Sequence, residues 1–288
     1  MRIKKAIIPA AGFGTRFLPA TKSQPKEMLP IIDKPLIQYG VEEAVSAGIE
    51  SIAIITSRGK SSLEDYFDRN PELERFLEEK GKTELLKEIE CISSLAEMCY
   101  IRQQKPLGLG HAILLGESFV NNEPFSVLLP DDIFDCDPPC IKQLMDAFFE
   151  LESPVIALGR VDEEGTKKYG IIKPKKIKEK IFQIEDVIEK PGPEEALSDL
   201  GIFGRYIFTP EIFDAIKRTA PDHRGEVQIT DAIRLLIKNR PVYGYVFEGK
   251  RYDAGDKLGF IEATIELALK REQFKEKLEE ILKKLIQH

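Results

Sequence analysis

Tryptophan is absent from this chain of 288 residues, and histidine and cysteine are scarce, with three and four residues. The cysteines lack the close paired spacing of a structural zinc site, and no histidine lies near them in the sequence. This argues against a zinc-binding module and favours ordinary thiols in a reducing cytoplasm. The four cysteines are Cys91, Cys99, Cys136 and Cys140.

Long apolar runs and an excess of positive charge are also missing. No stretch approaches the ~20 apolar residues that a membrane helix needs. The basic start precedes only a short apolar run, which Pro9 interrupts before a glycine-rich loop, so we expect no signal peptide. The formal charge of −7 argues against a general nucleic-acid surface. We therefore predict a cytoplasmic protein that binds neither membranes nor nucleic acids and holds any phosphate ligand in a local basic pocket.

The first half of the chain alternates buried strands with helices. Residues 5–9 and 51–55 are short, uninterrupted apolar runs, as expected of strands buried on both faces. Helical spacing over 35–47 lies between them, so the order predicts a right-handed parallel crossover. Extended segments predominate after Arg160, and helical spacing beyond Asp256 predicts a long last helix that Asp256 caps.

These patterns together predict the fold class. We expect an α/β protein with a doubly wound, mostly parallel, Rossmann-like sheet, a strand-rich second half and a long C-terminal helix. A single domain is expected over 1–288, divided into a first half (1–159), a second half (160–255) and the C-terminal helix (256–288).

Three clusters of candidate ligand-binding residues follow predicted strands. In an open α/β sheet, ligands gather at the carboxyl ends of the strands. The clusters are a glycine-rich loop over 10–16, Arg102-Gln103 with Gly108 after it, and Asp131-Asp132. Glycines let backbone N–H groups approach an anion closely, and two cations, Arg16 in the loop and Lys26 downstream of it, can balance several phosphate charges. The loop is therefore typical of a nucleoside triphosphate site.

Two better-known phosphate motifs do not fit the same loop. Gly12-Phe13-Gly14 supplies the first two glycines of a dinucleotide fingerprint, but Phe17 stands where the third would be. No acidic residue follows the second strand to hold a ribose, and a P-loop ending in Gly-Lys-Ser or Gly-Lys-Thr is also absent.

The amino-acid sequences of these segments resemble those of the bacterial UTP–glucose-1-phosphate uridylyltransferases, or UDP-glucose pyrophosphorylases. These enzymes are a family of sugar-nucleotide pyrophosphorylases. The resemblance implies a nucleotide-diphospho-sugar-transferase fold, with a nucleotide-binding half over 1–159 and a sugar-binding half over 160–255. It implies Mg²⁺-dependent transfer of a uridylyl group from UTP to glucose 1-phosphate, and a homo-oligomer, dimer or tetramer. It runs almost end to end, through residues 10–22, 25–39, 102–103, 108–112, 129–132, 169–171, 187–191, 204–206 and 225–232.

The resemblance assigns the catalytic and metal-binding roles. Lys26 is placed near the α- and β-phosphates and Arg16 by the leaving group, while Lys190 contacts the sugar phosphate. Asp131 is the expected Mg²⁺ ligand, and Asp253 matches a second metal carboxylate of related enzymes. A sugar phosphate is already an anionic nucleophile, with a second pKa near ~6, so no general base is needed. The predicted catalytic residues are Arg16, Lys26, Asp131 and Lys190.

The resemblance also assigns residues that bind the substrates. The amide of Gln103 can both donate to and accept from the uracil edge. Glu189 is expected to accept the sugar hydroxyls, and Asp132 is expected to point away from the metal. Ala11, Gly12 and Gly108 are expected to crowd the base and select a pyrimidine by shape, while Gly170 and Gly204 let backbone approach the hexose. The full predicted set is Ala11, Gly12, Gly14, Gln103, Gly108, Asp132, Gly170, Glu189, Lys190 and Gly204.

Two other functions remain open from the sequence. One is a thymidylyltransferase, since the base of dTTP presents the same edge to Gln103 as uracil does. The sequence around Lys22 and Lys26 nevertheless favours the uridylyltransferases. A catalytically silent sugar-nucleotide-binding protein is the other alternative, although Lys26 and Asp131 are both present. His111 is read as structural, since the chemistry needs no base.

Overall fold

The computed structural model describes residues 2–286. These residues form strands, helices and short 3-10 turns that loops connect. The strands are β1 (Lys5–Pro9), β2 (Pro30–Ile31), β3 (Lys34–Pro35), β4 (Ser51–Thr56), β5 (Glu97–Arg102), β6 (Phe125–Leu128), β7 (Asp132–Asp135), β8 (Val155–Arg160), β9 (Gly170–Lys176), β10 (Ile181–Glu189), β11 (Leu200–Phe208), β12 (Tyr243–Val246) and β13 (Lys250–Asp253). The helices are α1 (Leu36–Ser46), α2 (Ser61–Phe67), α3 (Pro71–Glu79), α4 (Thr83–Ser93), α5 (Gly108–Leu114), α6 (Glu117–Val120), α7 (Cys140–Leu151), α8 (Glu163–Thr166), α9 (Glu211–Arg218), α10 (Ile229–Leu236), α11 (Lys257–Leu269) and α12 (Glu272–Ile286). Short 3-10 turns cover Thr15–Phe17, Ala20–Lys22 and Lys26–Met28.

One sheet runs through both halves of the described chain, in the order β5-β4-β1-β6-β11-β8-β12-β10-β9. The four strands β5, β4, β1 and β6 are parallel, as the apolar runs predict. Helices cover both faces, because α1, α2 and α7 pack on one side and α5, α9 and α10 on the other. Strands of such a sheet are buried on both faces, which explains why residues 6–8 of β1 are fully buried and all apolar.

The expectation of a mostly parallel sheet is wrong for the second half. β11 runs antiparallel to its neighbours β6 and β8, and β10 runs antiparallel to β9 and β12. Only four residues separate β9 from β10, and a connection that short can only reverse the chain, since a parallel pair needs a crossover of about a dozen residues. The sheet is therefore mixed, with a parallel first part.

The expected long C-terminal helix is two helices. Asp256 caps α11 as predicted, with its Oδ1 accepting from the N–H of Gly259 at 2.9 Å. The helix stops after Leu269, and Arg271, between α11 and α12, pairs with Asp33, with Nη2 donating to Oδ1 at 2.6 Å. That ion pair ties the junction to the loop between β2 and β3. The end of the predicted helix, 287–288, lies outside the described residues.

A second, two-stranded sheet pairs β7 with β13 in antiparallel register. Asp132 lies opposite Asp253 in this register. The pairing thus brings the acidic segment after β6 beside the acidic segment near the C-terminus. No helix within residues 2–286 has both the length and the hydropathy needed to cross a bilayer.

Candidate active site

The predicted clusters lie side by side because the strands they follow are neighbours. Gln103 follows β5, Ala10 and Ala11 follow β1, and Leu129 to Asp131 follow β6. In the sheet these strands run parallel with β4 between β5 and β1, so their carboxyl ends share one edge. The candidate site occupies that edge, as expected for an open α/β sheet.

The glycine-rich loop offers unused backbone donors. Within the described chain, the N–H groups from Ala11 to Gly14 donate to no other protein group. Gly14 adopts φ 65°, and a Cβ there would lie 2.9 Å from the Cβ of Lys26, so this position requires glycine. The carbonyl of Gly14 accepts from Thr21 Oγ1 at 2.8 Å. The loop therefore faces outward with free donors while its base is packed against Lys26.

Lys26, Asp131 and Arg16 form one charged cluster. Lys26 Nζ lies 2.7 Å from Asp131 Oδ2, and Arg16 Nη2 lies 3.7 Å from the same oxygen. Burial alone would raise the pKa of Asp131, but the two cations outweigh it and lower the pKa to about 2. Burial would likewise lower the pKa of Lys26, but the carboxylates of Asp131 and Glu27 outweigh it and raise the pKa. Asp131 and Lys26 are thus both charged at neutral pH.

Asp131 and Asp253 surround one small space. A Cβ on Gly255 would lie 2.7 Å from Asp131 Oδ2, 2.9 Å from Asp253 Oδ1 and 3.3 Å from Arg16 Nη2. Two carboxylates around a space that a side chain would fill suit a hard cation that takes its other oxygens from phosphates and water. No group of three or more potential metal-ligating side chains occurs among residues 2–286. The donor set therefore fits Mg²⁺ held jointly with a phosphate ligand.

Asp132 has a different environment from Asp131. Its Oδ1 accepts from Arg251 Nε at 2.7 Å, and its Oδ2 accepts from the N–H of Gly204 at 3.1 Å. The Arg251 guanidinium stacks on the ring of Phe203 at 4.1 Å. Both carboxylate oxygens bond within the protein although Asp132 borders the cavity, and its contact with substrate stays a prediction. Asp132 holds the β7–β13 pair and the chain at Gly204.

The second half contributes a carboxylate, an amine and a hydroxyl to the same site. Glu189 Oε1 lies 3.2 Å from Lys190 Nζ, and Glu189 Oε2 accepts from Thr230 Oγ1 at 3.1 Å. Lys190 has φ 48°, an uncommon backbone conformation for a non-glycine residue that costs of order 1–3 kcal/mol and is found preferentially at functional sites. A Cβ on Gly170 would lie 2.7 Å from Thr230 Cγ2, so the absence of a side chain lets β9 approach this group.

Gln103 is buried below the edge of the sheet and held by two contacts. Its Nε2 lies 2.8 Å from His111 Nδ1 and 3.3 Å from the carbonyl oxygen of Gly108. Burial lowers the pKa of His111, which favours the neutral imidazole whose Nδ1 can accept from the amide. Gly108 adopts φ 91° and packs against the backbone of Val227, so it is required by local packing.

A cavity of about 720 Å³ brings most of the predicted residues together. Its lining includes Arg16, Asp131, Asp132, Gly170, Glu189, Lys190, Gly204 and Asp253. Lys26 reaches it through Asp131. The other predicted residues lie outside the lining, in the segments that follow β1 and β5; they are Ala11, Gly12, Gly14, Gln103 and Gly108.

Sequence reasoning missed several side chains of this region. Tyr169, Thr230 and Arg251 line the cavity and bind the predicted carboxylates. Segments containing Tyr169 and Thr230 were among those carrying the family resemblance, which is the signal that could have singled them out. A buried lysine, Lys60, lies under the glycine-rich loop and had no such signal.

A larger cavity, of about 1100 Å³, lies at the other edge of the sheet, where β6 begins and β11 ends. Its lining is rich in carboxylates and includes Glu117, Glu152, Glu211 and Asp214, with Arg240. None of the predicted site residues borders it. An acidic lining is unsuited to phosphate ligands, so size alone does not identify the nucleotide site.

Known proteins resemble this chain over nearly its full length. The model of the nucleotidyl transferase family matches residues 5–270. The UTP–glucose-1-phosphate uridylyltransferase of Bacillus subtilis strain 168 is 52% identical over 277 residues, which is 96% of this chain and 95% of that protein. Among solved structures, a UDP-glucose pyrophosphorylase complexed with UDP-glucose is 46% identical, with a TM-score of 0.86 over 94% of this chain and 100% of that one.

A third relative gives the same result. The UTP-bound UDP-glucose pyrophosphorylase from Acinetobacter baumannii is 37% identical, with a TM-score of 0.90, and the match covers 98% of this chain and 99% of that chain. The family match, the sequence identity and the fold all indicate the same family. The chain belongs to the nucleotidyl transferase family.

Proposed function

We propose that this chain transfers the uridylyl group of UTP to glucose 1-phosphate, giving UDP-glucose and pyrophosphate. The observation that carries this function is the cluster of Arg16, Lys26 and Asp131 beside a loop of free N–H donors. It lies in one cavity with the Glu189–Lys190 pair. Relatives that are 52% and 51% identical to this chain over almost its whole length are named for this activity.

The reaction requires two polyanions to meet in line. A phosphate oxygen of glucose 1-phosphate attacks the α-phosphorus of UTP, and the bond from that phosphorus to the bridging oxygen breaks, so pyrophosphate leaves. Positioning and charge neutralisation supply most of the catalysis in such transfers. In this proposal Lys26 contacts the α- and β-phosphates, Arg16 contacts the leaving group, and the N–H groups from Ala11 to Gly14 hold phosphate oxygens.

The carboxylates of Asp131 and Asp253 would hold Mg²⁺. When bound, this ion would supply positive charge to phosphate oxygens of the nucleotide. The support is the shared space beside Gly255 and the low pKa of Asp131, about 2, which keeps that carboxylate ionised. Lys26 then bonds both to Asp131 and to phosphate, which fixes the amine and the carboxylate relative to each other.

Glu189 and Lys190 bind the sugar phosphate in this proposal. One oxygen of Glu189 accepts from Thr230 and the other lies near Lys190. The carboxylate can also accept hydrogen bonds from hydroxyl groups of the hexose. Lys190, half exposed, reaches the sugar phosphate and can bridge it to the nucleotide. Gly170 and Gly204 border the same cavity without side chains.

Gln103 reads the uracil edge in this proposal. His111 and the Gly108 carbonyl occupy its Nε2, which orients the amide and leaves Oε1 to accept from the N3–H of the base. Ala11, Gly12 and Gly108 confine the base by shape. We also propose that the chain forms a homo-oligomer, since its C-terminal helices expose apolar side chains.

Released pyrophosphate measures the proposed activity directly. UTP, dTTP, ATP and GTP are each offered with glucose 1-phosphate and Mg²⁺, and UTP is expected to give the highest kcat/KM. Lys26→Ala is expected to lower turnover by about 10²–10³-fold, the scale of one preorganised electrostatic contact. Preference for dTTP would assign the chain to thymidylyl transfer. No pyrophosphate release with any nucleotide, or unchanged turnover in Lys26→Ala, would contradict the proposed mechanism.

A further inference from the structure

A buried ion pair lies directly beneath the glycine-rich loop. Lys60 Nζ is 2.8 Å from Glu27 Oε2, and the two side chains are only 8% and 4% exposed. The same amine donates to the carbonyl oxygen of Ala10 at 2.5 Å. Lys60 follows β4, Ala10 follows β1, and Glu27 belongs to the turn Lys26–Met28. One buried ammonium thus joins three chain segments that meet under the site.

The bond to Ala10 sets the direction of the first peptide of the loop. The C=O and N–H of a trans peptide point to opposite sides. Because Lys60 draws the Ala10 carbonyl inward, the N–H of Ala11 points the other way, which makes it the first of the free donors from Ala11 to Gly14. Ala10 itself is fixed by its own N–H, which donates to the carbonyl of Ile55 at 2.8 Å.

The bond to Glu27 sets the position of Lys26. Lys26 and Glu27 are neighbours in one short turn, so holding the Glu27 carboxylate inward leaves Lys26 to project toward Asp131. Gly14 packs against the stem of Lys26 on the other side. The amine of Lys26 and the donors of the glycine-rich loop are therefore placed by the same buried ammonium.

Stability alone does not account for such a pair. Buried ion pairs often contribute no more to folding than apolar side chains of similar volume, because removing both charges from water is costly. We propose that the Lys60–Glu27 ion pair is a positioning device that aligns the phosphate-binding N–H groups and the Lys26 amine with the nucleotide. This inference rests on the proposed roles of that loop and of Lys26.

Three variants test the proposal: Lys60→Met, Glu27→Gln and the double variant, which leaves no unpaired buried charge. Lys5→Met is the matched control. Lys5 lies at the other end of β1, and its amine also donates to a backbone carbonyl, that of Val120 at 3.2 Å, and pairs with a carboxylate, Glu123 at 3.0 Å. For each variant we measure kcat, the KM for each substrate and the thermal unfolding midpoint.

Misplaced phosphate donors are expected to lower kcat/KM for UTP and to leave the KM for glucose 1-phosphate nearly unchanged. A misplacement of about 1 Å can cost 10²-fold, so Lys60→Met and the double variant are expected to lose about 10–100-fold in kcat/KM for UTP. The KM for glucose 1-phosphate is expected to stay within about twofold, because Glu189 and Lys190 belong to the other half of the site. Lys5→Met is expected to match the wild type in all kinetic constants.

The double variant separates positioning from folding. Its unfolding midpoint is expected to return toward that of the wild type while kcat/KM for UTP stays low. If kcat/KM for UTP recovers together with the midpoint, or if the KM for glucose 1-phosphate rises as much as the KM for UTP, the pair is structural and the proposal is overturned. If the single variants fail to fold, the double variant alone decides between these outcomes. Pyrophosphate release by the wild type tests the proposed function separately.

Discussion

At the residue scale, we expect the contact between Gln103 and His111 to make nucleotide binding sensitive to pH. The His111 Nδ1 atom lies 2.8 Å from Gln103 Nε2, and only the neutral imidazole can accept there. Burial lowers the pKa of His111 from 6.5, so the imidazole is neutral above that lowered pKa and gains a proton as the pH falls through it. The imidazolium then presents a donor to a donor, which releases the amide of Gln103 from its orientation.

We therefore expect kcat/KM for UTP to fall on the acid side by up to about tenfold more in the wild type than in His111→Gln, the scale of one hydrogen bond. The glutamine variant keeps an acceptor but has no proton to gain. Phosphate groups of the substrates also titrate, with a second pKa of about 6, and the variant controls for them because they are the same in both profiles. The measurement is the pH profile of initial rates at saturating glucose 1-phosphate. Superimposable acid limbs would show that His111 does not orient Gln103.

At the element scale, a fully buried arginine fixes the segment that carries Asp131. Arg205 of β11 donates to the carbonyls of Leu129 and Asp132, at 3.0 and 2.9 Å, on either side of Asp131. Its guanidinium is balanced by Glu43 of α1, with Nη2 2.7 Å from Oε2. Glu43 Oε1 also accepts from the N–H of Ile141 in α7. One ion pair thus joins a strand, two helices and the segment that carries Asp131.

Glu43→Gln is expected to lower the free energy of unfolding by about 3–5 kcal/mol, because it leaves the buried Arg205 charge uncompensated. Glu50→Gln is the control, since the Lys4–Glu50 pair is half exposed and such pairs contribute about 0–1 kcal/mol. Urea unfolding of both variants measures the difference. A loss in Glu43→Gln no larger than that in Glu50→Gln would mean that the pair does not anchor the segment.

The sequence predicted the parallel part of the sheet but not the rest. Residues 6–8 and 52–55 are apolar throughout, so a local sequence pattern predicts their burial on both faces. The position of β11 between β6 and β8 depends on pairing between strands that are far apart in the sequence. A local sequence pattern cannot predict such pairing. The same holds for β7 and β13, whose pairing brings Asp253 beside Asp132.

The site divides in the same way. Arg16, Lys26 and Asp131 were found because glycines and strand ends mark phosphate sites. Lys60 was missed because a lone lysine before a helix is ordinarily taken for a solvated residue, and only the folded chain places it under the loop. Arg251 was missed as the partner of Asp132 because only the pairing of β7 with β13 brings the two side chains together.

At the scale of the whole molecule, the C-terminal helices expose an apolar surface. The composition of α11 is largely apolar, yet Ala263 is its only buried residue. Ile261 is 53% exposed on α11, and Ile281 is 46% exposed on α12. On folded proteins, large exposed apolar patches mark interaction sites. A second copy of the chain would bury it, which supports the proposed homo-oligomer.

Ile261→Glu combined with Ile281→Glu is expected to reduce the mass in solution toward that of one chain, 32.6 kDa, because a charge buried in an apolar interface costs several kcal/mol. Light scattering coupled to size-exclusion chromatography measures that mass. Leu73→Glu combined with Phe76→Glu is the matched control, since these α3 side chains are 42% and 50% exposed on a helix away from the C-terminus. A wild type with the mass of one chain would refute the homo-oligomer, and a double variant that keeps the mass of a larger wild type would place the interface elsewhere. The active cavity lies within a single chain, so the dissociated variant is expected to retain pyrophosphate release.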